Sequence, residues 1–480
     1  MNIKPQSEPN RSLGLDALRG VAIVGMILSG IIPWNTLPAW MYHIQTPPPS
    51  RAFDANVPGI SWVDLVFPYF LFALGAAIPL ALSRRLKKGT PLPRILFSIA
   101  ERGFLLAFFG LFVVHIRPWS MMPDPDAAAL LFGILGFALM FMIYTRMPET
   151  MPKIIQTLIR VIGYAGAIFF MMKLGNPKGE TFTFRNRDII IILLMVSAVV
   201  GSLAWLLTRE NILMRLGFLG ILMALRLSPH DAGWLKIVSE WNSSQAWLSW
   251  AFQIGFMQYL FIVIPGTIAG DMLVQWMSKK GRQPSEAPAW DAPHLSAIAA
   301  VMILLHLILL AGLYLRWDFG NMLLSAIILL LGWQMMKNPA TEMERLMQTL
   351  YKWGAYWLIL GLFFEPYEGG IKKDWATMSY FFVTSGMAIF LLIFFIITID
   401  IFKWNKRLMG LLIDNGQNPM IAYVAMSNVI WPLLALTHLN KPIEAITKTP
   451  WLGAMRGAFY TFLMMLFVSF FTRRKIFWRS

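Results

Sequence analysis

The chain alternates long apolar runs with short polar breaks. A helix needs about 20 residues to cross a hydrocarbon core. Windows of that size fall at 17–35, 62–82, 94–115, 127–144, 154–173, 189–207, 211–227, 249–277, 295–315, 319–336, 346–364, 377–400, 411–436 and 451–471. The short alternating segments of a membrane barrel are absent from the pattern, so the runs predict helices. The literal count is 14 spans. The run 211–227 is short and interrupted by arginines; with it and one neighbour taken as re-entrant or interfacial, the number falls to 12. The expected fold is all-α, a polytopic transmembrane helical bundle of about 12–14 spans.

Composition agrees with that pattern. Hydrophobic residues make up 57% of the chain and charged residues 14%, which excludes an ordinary soluble protein. The net charge of +16 is carried largely by segments such as 83–89, 278–282, 403–407 and the tail 472–480. With an even number of spans these segments fall on one side, so the positive-inside rule places both termini in the cytoplasm. No basic face of a soluble domain is visible, so nucleic acid is not an expected partner. There is no cysteine, hence no disulfide or thiolate chemistry. The first apolar run is long and lacks a small-residue cleavage site after it, so it is expected to remain as a helix. The whole chain, 1–480, reads as one integral-membrane domain, with its motifs in 11–110. The proline-rich stretch 281–294 is the candidate linker between two halves of the bundle.

Ionisable groups at membrane edges are costly and mark functional sites. Between the first two runs lies a polar hairpin carrying His43, after Trp40, Met41 and Tyr42. A neutral imidazole there can take a proton from an attacking amine or hydroxyl, or accept an acyl group itself. Asp64, at the start of the second run, is the candidate to orient the ring; its other reading is a helix cap. Pro68, four residues on, frees a main-chain carbonyl, and irregular backbone at this depth points to a cavity. Asp16 and Arg19 share one face of the first helix and could help hold an anionic ligand, for which Arg84, Arg85 and Arg102 on the same side add cations; the bland readings are an interfacial ion pair and loop topology. Asn415 and Asn418 open a late span, where amides can bind a sugar or cap the helix. His306 lies mid-span and reads as a packed interhelical hydrogen-bonder, while His230, His294 and His438 suggest nothing specific. No phosphate loop, nucleophile elbow or zinc motif is present, and no metal is expected.

The elements RSLGLDALRG, MYH and GISWVDLVFPYFLFALG, with the later GQNPMIAYV, resemble the heparan-α-glucosaminide N-acetyltransferase family and its bacterial relatives. The match is sharp over about 11–110 and again near 410–430, and elsewhere rests on hydropathy. The resemblance implies a transmembrane acetyltransferase of a bacterial inner membrane. It would move an acetyl group from cytoplasmic acetyl-CoA, a co-substrate, to an amino sugar or glycan hydroxyl on the far side. His43 matches the family's catalytic histidine. Asp16, Arg19, Arg84, Arg85 and Arg102 would hold the donor, and Asn35, Trp40, Tyr42, His115, Asn415 and Asn418 the acceptor. The family's asparagine near the outer end of the first span has no clear match, Asn35 lying later, and the hairpin between His43 and Asp64 is longer. The expected partners are acetyl-CoA, a sugar acceptor, the bilayer and a second copy in a homodimer. The rival reading is a glycan or lipid-linked sugar transporter or flippase; the lack of a visible internal repeat weighs against it.

Overall fold

The computed structural model describes residues 11–175, 179, 181–228, 233–244, 248–279, 288–405 and 407–479. His230 and the first half of the 281–294 linker lie outside them. The fold class is all-α, a polytopic helical bundle. Among the described residues the only extended pairing is an isolated bridge between Thr145 and Trp478.

Fifteen helices matter here: α1 (Leu13–Ile31), α2 (Trp62–Lys87), α3 (Leu92–Ile116), α4 (Ala127–Tyr144), α5 (Lys153–Lys173), α6 (Ile189–Thr208), α7 (Ile212–Leu227), α8 (Leu260–Lys279), α9 (Ala292–Tyr314), α10 (Asp318–Met335), α11 (Glu342–Phe364), α12 (Met378–Phe395), α13 (Arg407–Gln417), α14 (Pro419–Ala425) and α15 (Pro450–Arg473). A π-helical stretch extends α12 to Ile401, and another lets α14 run on to Leu436. Twelve of these segments are long and apolar enough to cross a membrane. The two that drop from the literal count of fourteen do so for different reasons. α7 has only 16 residues and buries Arg215, whose guanidinium donates to Thr208. α11 is long enough, with 23 residues, but carries Glu342, Glu344, Arg345 and Lys352 in its first half.

The chain divides into two compact units. The first comprises residues 11–22 of the described chain, 38–84 and 265–416. Its centre is α12, buried over 94% of its most apolar window. Thr377 caps that helix by accepting the Tyr380 amide. α11 begins with a capping box in which Thr341 and Glu344 satisfy each other's amides. Small residues bring backbones together, the usual device where lipid offers no hydrophobic drive for association. Gly266 and Gly270 of α8 lie on α2: a Cβ at either would stand 2.3 Å from Phe72 O or 2.4 Å from Ala76 O. Gly20 of α1 and Gly416 of α13 do the same for each other's helices, with virtual Cβ distances of 2.0 Å to Leu412 O and 1.8 Å to Asp16 O.

The second unit comprises residues 23–37, 85–264 and 417–479. Within it α3 packs on α6, and Tyr144 at the end of α4 donates to Leu105 O. A buried network joins Arg117, Asp188 and Tyr423, both Arg117 Nη2 and the Tyr423 hydroxyl meeting Asp188 Oδ2 at 2.8 Å.

Candidate active site

The site grows from three segments of the first unit. The first is the hairpin after α1. A short 3₁₀ turn, Ala39–Met41, turns the chain inward. Tyr42 is buried, with the Arg51 guanidinium 4.4 Å above its ring. The His43 carbonyl is held by both the amide and the hydroxyl of Thr46, at 3.0 and 2.7 Å. Phe53 meets the imidazole edge-on.

The second segment is the start of α2. Ser61 stands just before it and Asp64 is its third residue. Asp64 Oδ2 accepts the Ser61 amide at 2.8 Å, the Ser61 hydroxyl at 3.1 Å and the Ile44 amide at 3.3 Å. That is half of a capping box, turned to bind the hairpin as well as the helix start. The cap and the site are therefore one residue: the other oxygen, Oδ1, lies 3.0 Å from His43 Nδ1. Pro68 has no N–H, so the Asp64 carbonyl lacks its helical donor. The Tyr380 hydroxyl of α12 supplies one at 2.7 Å. A side chain, rather than a cavity, fills the gap that Pro68 opens.

The third segment is the loop between α11 and α12, which carries none of the residues expected from the sequence. Glu365 Oε1 pairs with Arg316 at 2.5 Å and accepts the Ile371 amide, and the Gly59 amide donates to Ile371 O. Gly370 has φ +96° and stands so close to Pro58 that a Cβ would meet its side chain at 2.6 Å. So fixed, the loop delivers Asp374 Oδ2 to 2.9 Å from His43 Nε2. Buried Gln45 locks this placement: its Oε1 accepts the Asp374 amide at 2.9 Å, and its Nε2 donates to Asp374 O and to Ala55 O. Lys373 Nζ stands 4.0 Å from both Asp64 Oδ1 and Asp374 Oδ2.

His43 is thus held between two carboxylates. Burial works to lower its pKa, but Asp374 and Asp64 outweigh burial and Lys373 and raise it above the usual histidine value. Burial pushes the Asp374 carboxyl up, and the hydrogen bond to His43 with the Lys373 charge brings it below its usual range. Ionised carboxylates only accept, so both ring nitrogens face acceptors and the frame suits an imidazolium. The Gln45 amide, 3.2 Å from Nδ1, is a donor available to the neutral ring. The two carboxylates differ in exposure. Asp64 is wholly enclosed and thrice hydrogen-bonded, whereas the Asp374 side chain is 45% exposed. Nε2 is therefore the nitrogen that an incoming group can reach.

The remaining expected residues fall in both units. Asp16 is buried and pairs with Arg11 at 2.5 Å and with Arg19 at 3.7 Å. Arg19 donates to Gly416 O and to Ala73 O, near the middle of α2. Arg84 is exposed at the far end of α2. Trp40 is half exposed beside the hairpin. Asn415 is buried and donates to Leu411 O in its own helix. Arg85, Arg102, Asn35, His115 and Asn418 belong to the second unit. Arg85 is exposed and donates to the Ser98 hydroxyl, and Arg102 is half-buried in α3. Asn35 sits exposed in a left-handed turn. His115 is buried, with Nδ1 2.8 Å from Leu111 O. Asn418 precedes α14 without capping it; its amide donates to Ile476 O and accepts the Trp478 N–H, tying down the tail. Tyr69 and the mid-span His306 meet each other at 3.0 Å.

These features define a polytopic helical membrane protein with an imidazole braced by two carboxylates in a loop-built site. A family model described as "Domain of unknown function (DUF5009)" matches residues 11–273, more than half of the chain, and the chain belongs to that family. It is also similar to two proteins named heparan-alpha-glucosaminide N-acetyltransferase. The human protein is 30% identical over 107 residues, covering 22% of this chain and 14% of the relative. The mouse protein is 28% identical over 110 residues, covering 23% and 15%. The matched stretch is thus a small part of either relative.

Proposed function

We propose that the protein is a transmembrane acetyltransferase that takes an acetyl group from cytoplasmic acetyl-CoA and passes it to an amino sugar or glycan hydroxyl on the other side, in a bacterial inner membrane. The observation that carries this reading is the His43 imidazole held between Asp64 and Asp374, supported by the partial similarity to named N-acetyltransferases.

Asp64 orients the ring through Nδ1, and Nε2 is the reactive nitrogen once Asp374 yields its place. In direct transfer, the acceptor nitrogen or oxygen bonds to the acetyl carbon while its proton moves to Nε2. The carbon–sulfur bond breaks, its electron pair leaves with sulfur, and the thiolate takes up a proton. In the relay form, Nε2 first takes the acetyl group from sulfur and then yields it to the acceptor, restoring the ring. A positioned base of this kind contributes typically ~10²–10⁴-fold.

The donor end of the reading rests on Arg84, Arg85, Arg102, Asp16 and Arg19. Arg84 follows Asp64 by 20 residues of α2, about 30 Å along a helix and so the full thickness of a hydrocarbon core. Arg19 reaches Ala73 O, only about 14 Å below Asp64 along the same helix. We read these two cations, Arg84 at the end of α2 and Arg19 beside its middle, as support for a donor path from one membrane face inward. Asn35, Trp40, Tyr42, His115, Asn415 and Asn418 are the proposed acceptor contacts, and a homodimer the proposed assembly.

The test is turnover of radiolabelled acetyl-CoA by the purified protein in nanodiscs against a panel of amino sugars. Labelled sugar supports the reading. Absence of both acetyl-CoA binding and thioester cleavage rejects it in favour of glycan or lipid-linked sugar transport.

A further inference from the structure

In the second unit, the chain leaves α1 through Pro33 and enters α15 through Pro450. The two span ends touch at small residues. A Cβ on Gly453 would stand 2.5 Å from Pro33 Cγ, and one on Gly457 would stand 3.2 Å from Ile31 O. Beside this junction opens a cavity of about 310 Å³, lined by Thr36, Glu444, Thr447, Lys448, Thr449 and Arg456 along with the two prolines. The volume sits at the lower end of the ligand-pocket range.

The position and the lining constrain what fits. The cavity lies where two membrane spans end, at the boundary between hydrocarbon and water. Arg456 belongs to α15, yet its Nη1 donates to the Thr447 hydroxyl at 3.0 Å, which draws the guanidinium to the polar side. Arg456 and Lys448 offer a planar fork and a point charge, the combination that binds phosphate oxygens. The Thr36 and Thr449 hydroxyls also line the cavity, while that of Thr447 donates to Ile443 O and serves to hold Arg456. Glu444 is out of place for a bare anion but suits a group that carries a primary ammonium next to its phosphate. The outer face of α15 is apolar: Trp451, Met455 and Phe459 stand 54%, 66% and 48% exposed, and their spacing of four residues sets them in one stripe, turned about 100° around the helix from Arg456.

We propose that this cavity seats the headgroup of a membrane phospholipid bearing both phosphate and primary ammonium, that is, a phosphoethanolamine headgroup. The phosphate lies on Arg456 and Lys448 and the ammonium on Glu444, with the acyl chains in the surrounding bilayer. A choline headgroup has no N–H to give Glu444, and a glycerol headgroup leaves that carboxylate facing net negative charge. The site is independent of the acetyl-transfer reading.

The experiment is a lipid titration of delipidated full-length protein, with bound lipid counted by native mass spectrometry. Phosphatidylethanolamine, phosphatidylcholine and phosphatidylglycerol with identical acyl chains are compared, with glycerophosphoethanolamine as the water-soluble probe. Wild type should bind one phosphatidylethanolamine at least tenfold more tightly than phosphatidylglycerol. Arg456→Met and, separately, the exposed Lys448→Gln should each weaken that binding at least fivefold, and Glu444→Gln should erase most of the preference over phosphatidylglycerol. The melting temperature without lipid identifies any variant that fails to fold, and Lys448→Gln then carries the test. Equal binding of the three lipids, or unchanged affinity in Arg456→Met and Lys448→Gln, overturns the proposal. So does glycerophosphoethanolamine binding as tightly as the lipid, which would make this a small-anion site.

Discussion

The Tyr380 hydroxyl donates to the main-chain carbonyl of Asp64 at 2.7 Å, the carbonyl that Pro68 leaves without a helical donor. One contact thus repairs the helix defect and fixes α2 to the buried α12 where Asp64 faces His43.

Tyr380→Phe should leave that buried carbonyl unsatisfied and cost about 1–3 kcal/mol of stability. Pro68→Ala restores an N–H four residues along, so in the Pro68→Ala background the Tyr380→Phe loss should shrink toward zero. Thermal unfolding in detergent of the two single variants and the double variant forms a mutant cycle. Additive losses would show that the hydroxyl does not serve this carbonyl.

Asp374→Asn should move the acid limb of the pH–rate profile to lower pH. Asp374 is among the groups that raise the His43 pKa, so removing its charge lets the ring lose its proton earlier. Stability follows the same sign. A raised folded-state pKa contributes stability that is complete below the ordinary histidine value and is lost as pH rises through the folded value. The variant should therefore lose stability mainly on the acid side. Melting temperatures across pH, read beside the rate profile, check both; a limb moving upward in pH contradicts the assignment.

Gln45→Leu should act at a distance through Asp374. It removes the side-chain bonds to both main-chain groups of that residue. Loss of this anchor should loosen the Asp374 contact with His43 Nε2 and so change the pKa of the ring, while KM for the donor stays unchanged. The acid limb should shift in the same direction as in Asp374→Asn, which simple destabilisation would not produce.

Gly416→Ala tests the close crossing of α1 and α13. Alanine gains about 1 kcal/mol over glycine in a helix interior. Here its Cβ would lie 1.8 Å from Asp16 O, and overpacking of about 1–3 kcal/mol or more should win. Gly217→Ala, where nothing stands within 4 Å, is the matched control and should be neutral or stabilising. Equal melting temperatures for the two variants would exclude the close crossing.

The sequence made the helices legible because their apolar runs are long, and it paired His43 with Asp64 because both lie on the hairpin that joins the first two runs. Asp374 stayed invisible for a physical reason: it lies 331 residues from His43, and only the tertiary fold brings such positions together. Its one local signal was a Lys-Lys-Asp-Trp run after two glycines in an otherwise ordinary outer loop. Pro68 was legible as a freed carbonyl but not its remedy, since Tyr380 sits on another helix. Asn418 reads as a helix cap by position, yet its amide serves residues 476 and 478, a use that depends on where the tail returns.

The most direct measurement is acetyl transfer from labelled acetyl-CoA by wild type and His43→Ala, both in nanodiscs and matched for melting temperature. The account predicts labelled sugar from wild type and a loss of at least ~10²-fold in the variant, with acetyl-CoA binding retained. Transfer at the wild-type rate by His43→Ala would contradict the central claim that this imidazole carries the reaction.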